Sequence, residues 1–169
     1  RLNKRGLMVT AIITLVGESD SGKTMVASEL IRILTEEGYR VAAVKHCPHG
    51  HDVDKEGSDT YRMALAGAST VIAVSPNKVT KIERTESDLS LELIVKALDG
   101  FDLVIAEGFR DNKTPKILVQ RSDGHPYTGP ILTATAAVGD TGPFSALTCF
   151  RFDEIPELAT YIRNRFLTS

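Results

Sequence analysis

The chain has 169 residues, 42% apolar and 25% charged, with a formal net charge of −2 at pH 7. That length buries one core of ordinary size, so a single domain over 1–169 is expected, and the near-neutral balance argues against nucleic acid as its main partner. Two cysteines are too few for a disulfide framework and no apolar run is long enough to cross a bilayer, so no membrane association is expected and the cytoplasm is the default location. Residues 1–7, ahead of Met8, read as an expression remnant or a processed start and carry no functional weight.

In chain order, Val9–Val16 reads as a buried parallel strand, and Met25, Val26, Leu30, Ile31 and Leu34 recur at helical spacing up to Gly38, a C′ glycine. Arg40–Lys45 predicts a second strand, Gly57–Ala66 a helix, Thr70–Val74 a third strand and Val79–Arg84 a fourth. Ser87 predicts the N-cap of a helix carrying Leu91, Ile94 and Leu98, stopped by Gly100. Phe101–Ala106, Lys116–Arg121 and Ile131–Val138 are further strands, and an amphipathic helix begins near Pro156 with Leu158, Ile162 and Phe166 inward. Strands alternating with helices predict an α/β fold: a three-layer, mostly parallel sheet flanked by helices, with an additional strand or hairpin region.

Between the first strand and first helix lies Gly17-Glu18-Ser19-Asp20-Ser21-Gly22-Lys23-Thr24, which is Gly-x-x-x-x-Gly-Lys-Thr. Glycines at both ends let successive backbone N–H groups turn inward above a helix N-terminus, the geometry that cradles nucleotide phosphates. Lys23 would hold the β- and γ-phosphates, and Thr24 would ligate Mg²⁺. A second signature is Glu107-Gly108 at the end of the apolar strand. A carboxylate there holds Mg²⁺ or polarises the attacking water, and the glycine lets the chain pass close to the phosphates.

A third cluster, Lys45-His46-Cys47-Pro48-His49-Gly50-His51-Asp52-Val53-Asp54, is rich in zinc-ligand types but lacks the spacing of a closed zinc site. It reads better as a mobile switch segment, with Asp52 or Asp54 reaching Mg²⁺ and Lys45 and His46 lining the phosphate side. A solvated polar loop is the plainer alternative. Arg62 and Arg110 are candidate stabilisers of charge developing on a γ-phosphate, each otherwise a surface or salt-bridge residue. The segment 123–143, rich in Gly, Pro and Thr, either shapes a pterin or base pocket or serves as connection and edge strand.

In this order, the phosphate loop, Val44-Lys45-His46 with His49, Asp52 and Asp54, Gly57 to Arg62 leading to Ala66-Gly67-Ala68, and Asp102 to Phe109 followed by Pro115-Lys116-Ile117 resemble the molybdopterin-guanine dinucleotide biosynthesis protein B family, MobB. The resemblance runs over roughly residues 8 to 166, and the combination is far more restrictive than the loop alone. One departure is Ser58, where the resemblance leads one to expect a lysine.

The resemblance implies a cytoplasmic, Mg²⁺-dependent, GTP-binding homodimer with weak hydrolytic activity. It would assist the guanylyltransferase MobA, which joins GMP to molybdopterin. Guanine selection rests on the resemblance alone, because neither Asn112-Lys113-Thr114-Pro115 nor Asn77-Lys78-Val79-Thr80 completes an Asn-Lys-x-Asp base-reading motif. Two other readings share the loop: a small-molecule P-loop kinase, which would need an acceptor pocket and an arginine-bearing lid, and a nucleotide-regulated binding module.

Overall fold

The computed structural model describes residues 10–51, 54–139 and 146–167. In chain order its elements are β1 (Ala11–Val16), α1 (Lys23–Glu36), β2 (Val41–Lys45), α2 (Asp59–Leu65), β3 (Thr70–Ser75), β4 (Lys78–Glu83), α3 (Leu91–Lys96), β5 (Leu103–Glu107), β6 (Lys116–Gln120), β7 (Ala134–Gly139), β8 (Thr148–Phe150) and α4 (Ile155–Ile162), which runs on as a π-helical turn over Arg163–Leu167. These elements fall into two compact units, 1–46 with 91–169, and 47–90.

The larger unit is built on a six-stranded sheet of order β2-β5-β1-β6-β7-β8. Every neighbouring pair is parallel. A parallel strand covered on both faces must be apolar almost throughout, and Leu103–Ala106 and Ile117–Val119 are buried at every position. On one face Val26, Leu30 and Leu34 of α1 meet Leu158, Ala159 and Ile162 of α4 over Ile13, Leu15, Ile105 and Val119. On the other, Val16, Leu118 and Ala137 pack with Tyr127 and Leu147. Thr14 and Lys116 are the polar side chains buried within the strands. Thr14 is satisfied by Thr114 at 2.6 Å and by Asn112, whose amide donates to its Oγ1 at 3.0 Å. Lys116 Nζ donates to Thr133 Oγ1 at 2.9 Å and to the Asn112 carbonyl.

The helix stop at Gly38 is a Schellman motif. Glu37 is the C-cap and Gly38 has φ +93°. The Gly38 N–H donates to the Thr35 carbonyl and the Tyr39 N–H to the Leu34 carbonyl, both at 3.0 Å.

The smaller unit holds α2 and an antiparallel β3–β4 hairpin in which Ser75 pairs with Lys78 across Pro76-Asn77. Among its described residues Val71 alone is buried, while Ile72, Val74 and Val79 stand 58%, 75% and 66% exposed. Ser58, the residue departing from the resemblance, is the N-cap of α2: its Oγ accepts from the Tyr61 N–H at 3.1 Å.

Several boundaries differ from the sequence expectation. α3 begins at Leu91 rather than after Ser87, and it buries Leu91 while leaving Leu93 exposed, so its apolar stripe is shorter than its periodicity suggests. β7 begins at Ala134, because Ile131–Thr133 form a turn closed by Ala134 N–H donating to the Ile131 carbonyl. The three-residue β8 has too few residues for a two-residue period to register. Met25, expected on the inward stripe of α1, is 42% exposed.

Candidate functional site

The chain leaves β1 for the far edge strand β2, then returns to insert β5 beside β1 and later adds β6 on its other side. The carboxyl ends of β5, β1 and β6 therefore bracket the switch in winding direction, where open parallel sheets bind their ligands. The loop Gly17–Gly22 sits at this point, with Gly22 as N-cap of α1 at φ +96° and Asp20 at φ +59°. A Cβ on Gly17 would drive into the Val119 carbonyl oxygen and stand 2.5 Å from Ser21 Oγ, so the loop passes β6 too closely for any side chain. Ser21 is buried beneath the loop.

Lys23 and Thr24 open α1. Lys23 Nζ donates to the Glu18 carbonyl at 2.6 Å and the Gly17 carbonyl at 3.1 Å, which holds the ammonium across the loop. Burial lowers its pKa from the usual lysine value, and the charge of Glu107 opposes that shift. Thr24 Oγ1 donates to Glu107 Oε2 at 2.9 Å, and Lys45 Nζ lies 3.3 Å from Glu107 Oε1. Register explains the meeting: Glu107 ends β5 with Leu15 beside it on β1 and Lys45 on β2.

A cavity of about 600 Å³ lies over these residues, lined by Ser19, Asp20, Gly22, Lys23, Thr24, Met25, Lys45, Glu107 and Arg121. Its volume suits a small-molecule ligand. Lys23, Lys45 and Arg121 face it together with the carboxylates of Asp20 and Glu107, so its cations outnumber its carboxylates, a balance that suits an anionic ligand.

His46 follows Lys45 at the same edge but does not line the cavity. Its ring stacks on Phe109 with centroids 4.8 Å apart, and its backbone N–H donates to the Glu107 backbone carbonyl at 2.9 Å. Gly108, at φ +90°, is where that packing requires glycine, since a Cβ would stand 3.0 Å from His46 Cβ. Arg110 also stands beside the loop rather than in the cavity. Its Nη2 donates to Glu18 Oε2 at 2.8 Å and its guanidinium lies 5.4 Å from the Tyr127 ring centroid. That hydrogen bond holds the Glu18 carboxyl below its usual pKa.

The remaining site candidates belong to the smaller unit. Asp54 Oδ1 accepts from Ser58 Oγ at 2.9 Å and Thr60 Oγ1 at 2.8 Å, tying the segment before α2 to the helix start. Arg62 lies on α2. Asp52 lies outside the described residues. Among the described residues no group of three or more His, Cys, Asp or Glu is placed to hold a metal ion, and no helix is long and apolar enough to cross a membrane. The sequence reading passed over Arg121, whose signal was its place just after a parallel strand bordering β1.

Comparison with known proteins follows the same residues. The family model described as molybdopterin guanine dinucleotide synthesis protein B matches residues 12–138. The molybdopterin-guanine dinucleotide biosynthesis adapter protein of Haemophilus influenzae is 33% identical over 156 residues, spanning 90% of this chain and 88% of its own. The adapter protein of Escherichia coli is 32% identical over 125 residues, 71% of each chain. The crystal structure of Bacillus subtilis MobB superposes with a TM-score of 0.78 at 21% identity, over 94% of this chain and 99% of its own, which speaks for the fold. A crystal structure of molybdopterin-guanine biosynthesis protein B superposes at 0.72 with 29% identity, over 90% and 98%.

Proposed function

The chain belongs to the molybdopterin guanine dinucleotide synthesis protein B family, and from that premise we propose that it is an adapter in molybdenum-cofactor biosynthesis, binding GTP with Mg²⁺ on its phosphate loop and assisting the conversion of molybdopterin to its guanine dinucleotide. The observation that carries the nucleotide part is the convergence of Lys23, Thr24, Lys45 and Glu107 on one cavity, with Thr24 Oγ1 2.9 Å from Glu107 Oε2. The residues fit the absent groups. Thr24 and Glu107 present hard oxygen donors of the kind Mg²⁺ takes, and Gly17 lets the loop close against the Val119 carbonyl, where no side chain fits.

Bound Mg²⁺ would draw charge from the terminal phosphate oxygens. The chain's own part is positioning. Gly22 and the first N–H groups of α1 would face the phosphates, Lys23 places a cation across the loop, and Glu107 orients the Thr24 hydroxyl and anchors Lys45. Arg110 is paired with Glu18, so stabilising a γ-phosphate would require exchanging that carboxylate for phosphate. The Glu107 carboxylate is already shared between the Thr24 hydroxyl and Lys45, so hydrolysis is expected to be slow, with nucleotide binding serving partner engagement. The proposed partners are the guanylyltransferase MobA and molybdopterin, with a homodimer as the working assembly and the cytoplasm as its location.

The test is a Mg²⁺-dependent titration of GTP against ATP with phosphate release followed in the same samples, repeated with Lys23→Ala. Removing that charge-assisted contact should weaken triphosphate binding by about 1.5–3 kcal/mol, roughly 10- to 150-fold. Unchanged binding in Lys23→Ala would refute the phosphate site. Rapid turnover requiring one small acceptor would replace the adapter reading with a kinase.

A further inference from the structure

The proposed function leaves open where the nucleoside goes. The cavity has two chemically distinct ends. On the β5 and β2 side stand Glu107, Lys45 and the Thr24 hydroxyl, charged groups suited to terminal phosphates and their metal. On the β6 side stands Arg121, the residue immediately after β6.

Arg121 is supported from behind. Its guanidinium carbon lies 5.6 Å from the Phe152 ring centroid. The ring packs against the last glycine of the loop, with Cε1 3.1 Å and Arg121 Nε 3.5 Å from where a Gly22 Cβ would sit. Among the described residues no carboxylate is paired with the Arg121 guanidinium, in contrast to Arg32, Arg110, Arg151 and Arg163. A planar cation resting on an aromatic ring keeps its other face for a flat, polarisable ligand.

We propose that Arg121, backed by Phe152, is the platform on which the base of the bound nucleotide stacks, giving the site a preference for purine over pyrimidine nucleoside triphosphates. This rests on the phosphate-loop reading above and deepens it. A nucleotide whose terminal phosphates lie toward Lys45 and Glu107 directs its α-phosphate and nucleoside across Gly22 toward the Arg121 end. Stacking is sequence-tolerant among bases of similar area, so it orders ligands by ring size and not by guanine against adenine.

The experiment measures Mg²⁺-dependent binding of GTP, CTP and inorganic tripolyphosphate to the parent chain and to Arg121→Ala, Arg121→Lys and Lys23→Ala. Arg121 is exposed, so its variants are expected to fold, and a thermal melt checks this. Arg121→Ala should weaken GTP about 5- to 30-fold, reduce the GTP/CTP ratio and weaken tripolyphosphate far less than GTP. Arg121→Lys, which keeps the charge and loses the plane, should behave as Arg121→Ala. Equal loss of tripolyphosphate, with rescue by lysine, would overturn stacking and make Arg121 a phosphate contact. Unchanged GTP binding in both Arg121 variants would also overturn the proposal. Lys23→Ala separates the two claims, because it should lose GTP and tripolyphosphate together whatever Arg121 does. A parent chain that binds neither ligand would overturn both.

Discussion

At the scale of single residues, the site is governed by close approach and by one shared carboxylate. Gly17→Ala forces a methyl group into the backbone carbonyl of Val119, which cannot swing aside. We expect a loss of about 1–3 kcal/mol in stability, read by denaturant unfolding, together with loss of nucleotide binding. Glu107→Gln keeps an oxygen for the Thr24 hydroxyl but removes the charge that raises the pKa of Lys23, so Lys23 should titrate at lower pH, as followed by its side-chain NMR signals. Glu18 behaves oppositely. Its folded-state pKa is lowered chiefly by the hydrogen bond from Arg110, so its contribution is present above the unfolded carboxylate pKa and is lost as pH falls through the folded value. Arg110→Ala should raise the Glu18 pKa and flatten that acid-side slope. The loop, Glu107 and Lys45 were legible in the sequence because spacing and strand ends mark them. Arg121 was not, since its meaning depends on Phe152, which is distant in sequence and adjacent only in the fold.

At the scale of elements, caps decide where helices stop and start. Gly38 holds φ +93° at the C′ position of α1, so Gly38→Ala should cost about 1 kcal/mol even though open space surrounds it, measurable as a lowered melting temperature. Ser58 gives α2 its N-cap, and Ser58→Lys, the residue the family resemblance suggests, should loosen α2 by about 0.5–2 kcal/mol as seen by amide exchange of residues 59–65. Long apolar strands and the two amphipathic helices were readable because burial on both faces, or a repeated stripe, leaves a periodic trace. Ser87 misled because a good capping residue is common in turns, whereas α3 is fixed by burying Leu91. β8 left no trace, since three residues gain their strand geometry from pairing with β7.

At the scale of the whole molecule, stability is unevenly distributed. The described residues of 47–90 contain Val71 as their one buried side chain, while β5 and β6 are buried at all but their last position and α4 buries Ile155, Leu158, Ala159 and Ile162. Native-state hydrogen exchange should therefore find amides of β3 and β4 opening at free energies well below those of β5 and β6. Uniform protection across both units would contradict this. Leu158→Ala, in the cluster shared by α1 and α4, should cost about 2–5 kcal/mol and lower the global transition. The order of the sheet also bears on synthesis. β1 and the loop after it leave the ribosome well before both strands that flank β1, which lie beyond residue 100. The hairpin can close on neighbours only a few residues away, but β1 must wait for most of the chain to be translated before it is hydrogen-bonded on either side. The proposed nucleotide site is thus assembled only after the strands that follow its loop have been made, so triphosphate would secure the finished fold but could not guide a nascent one.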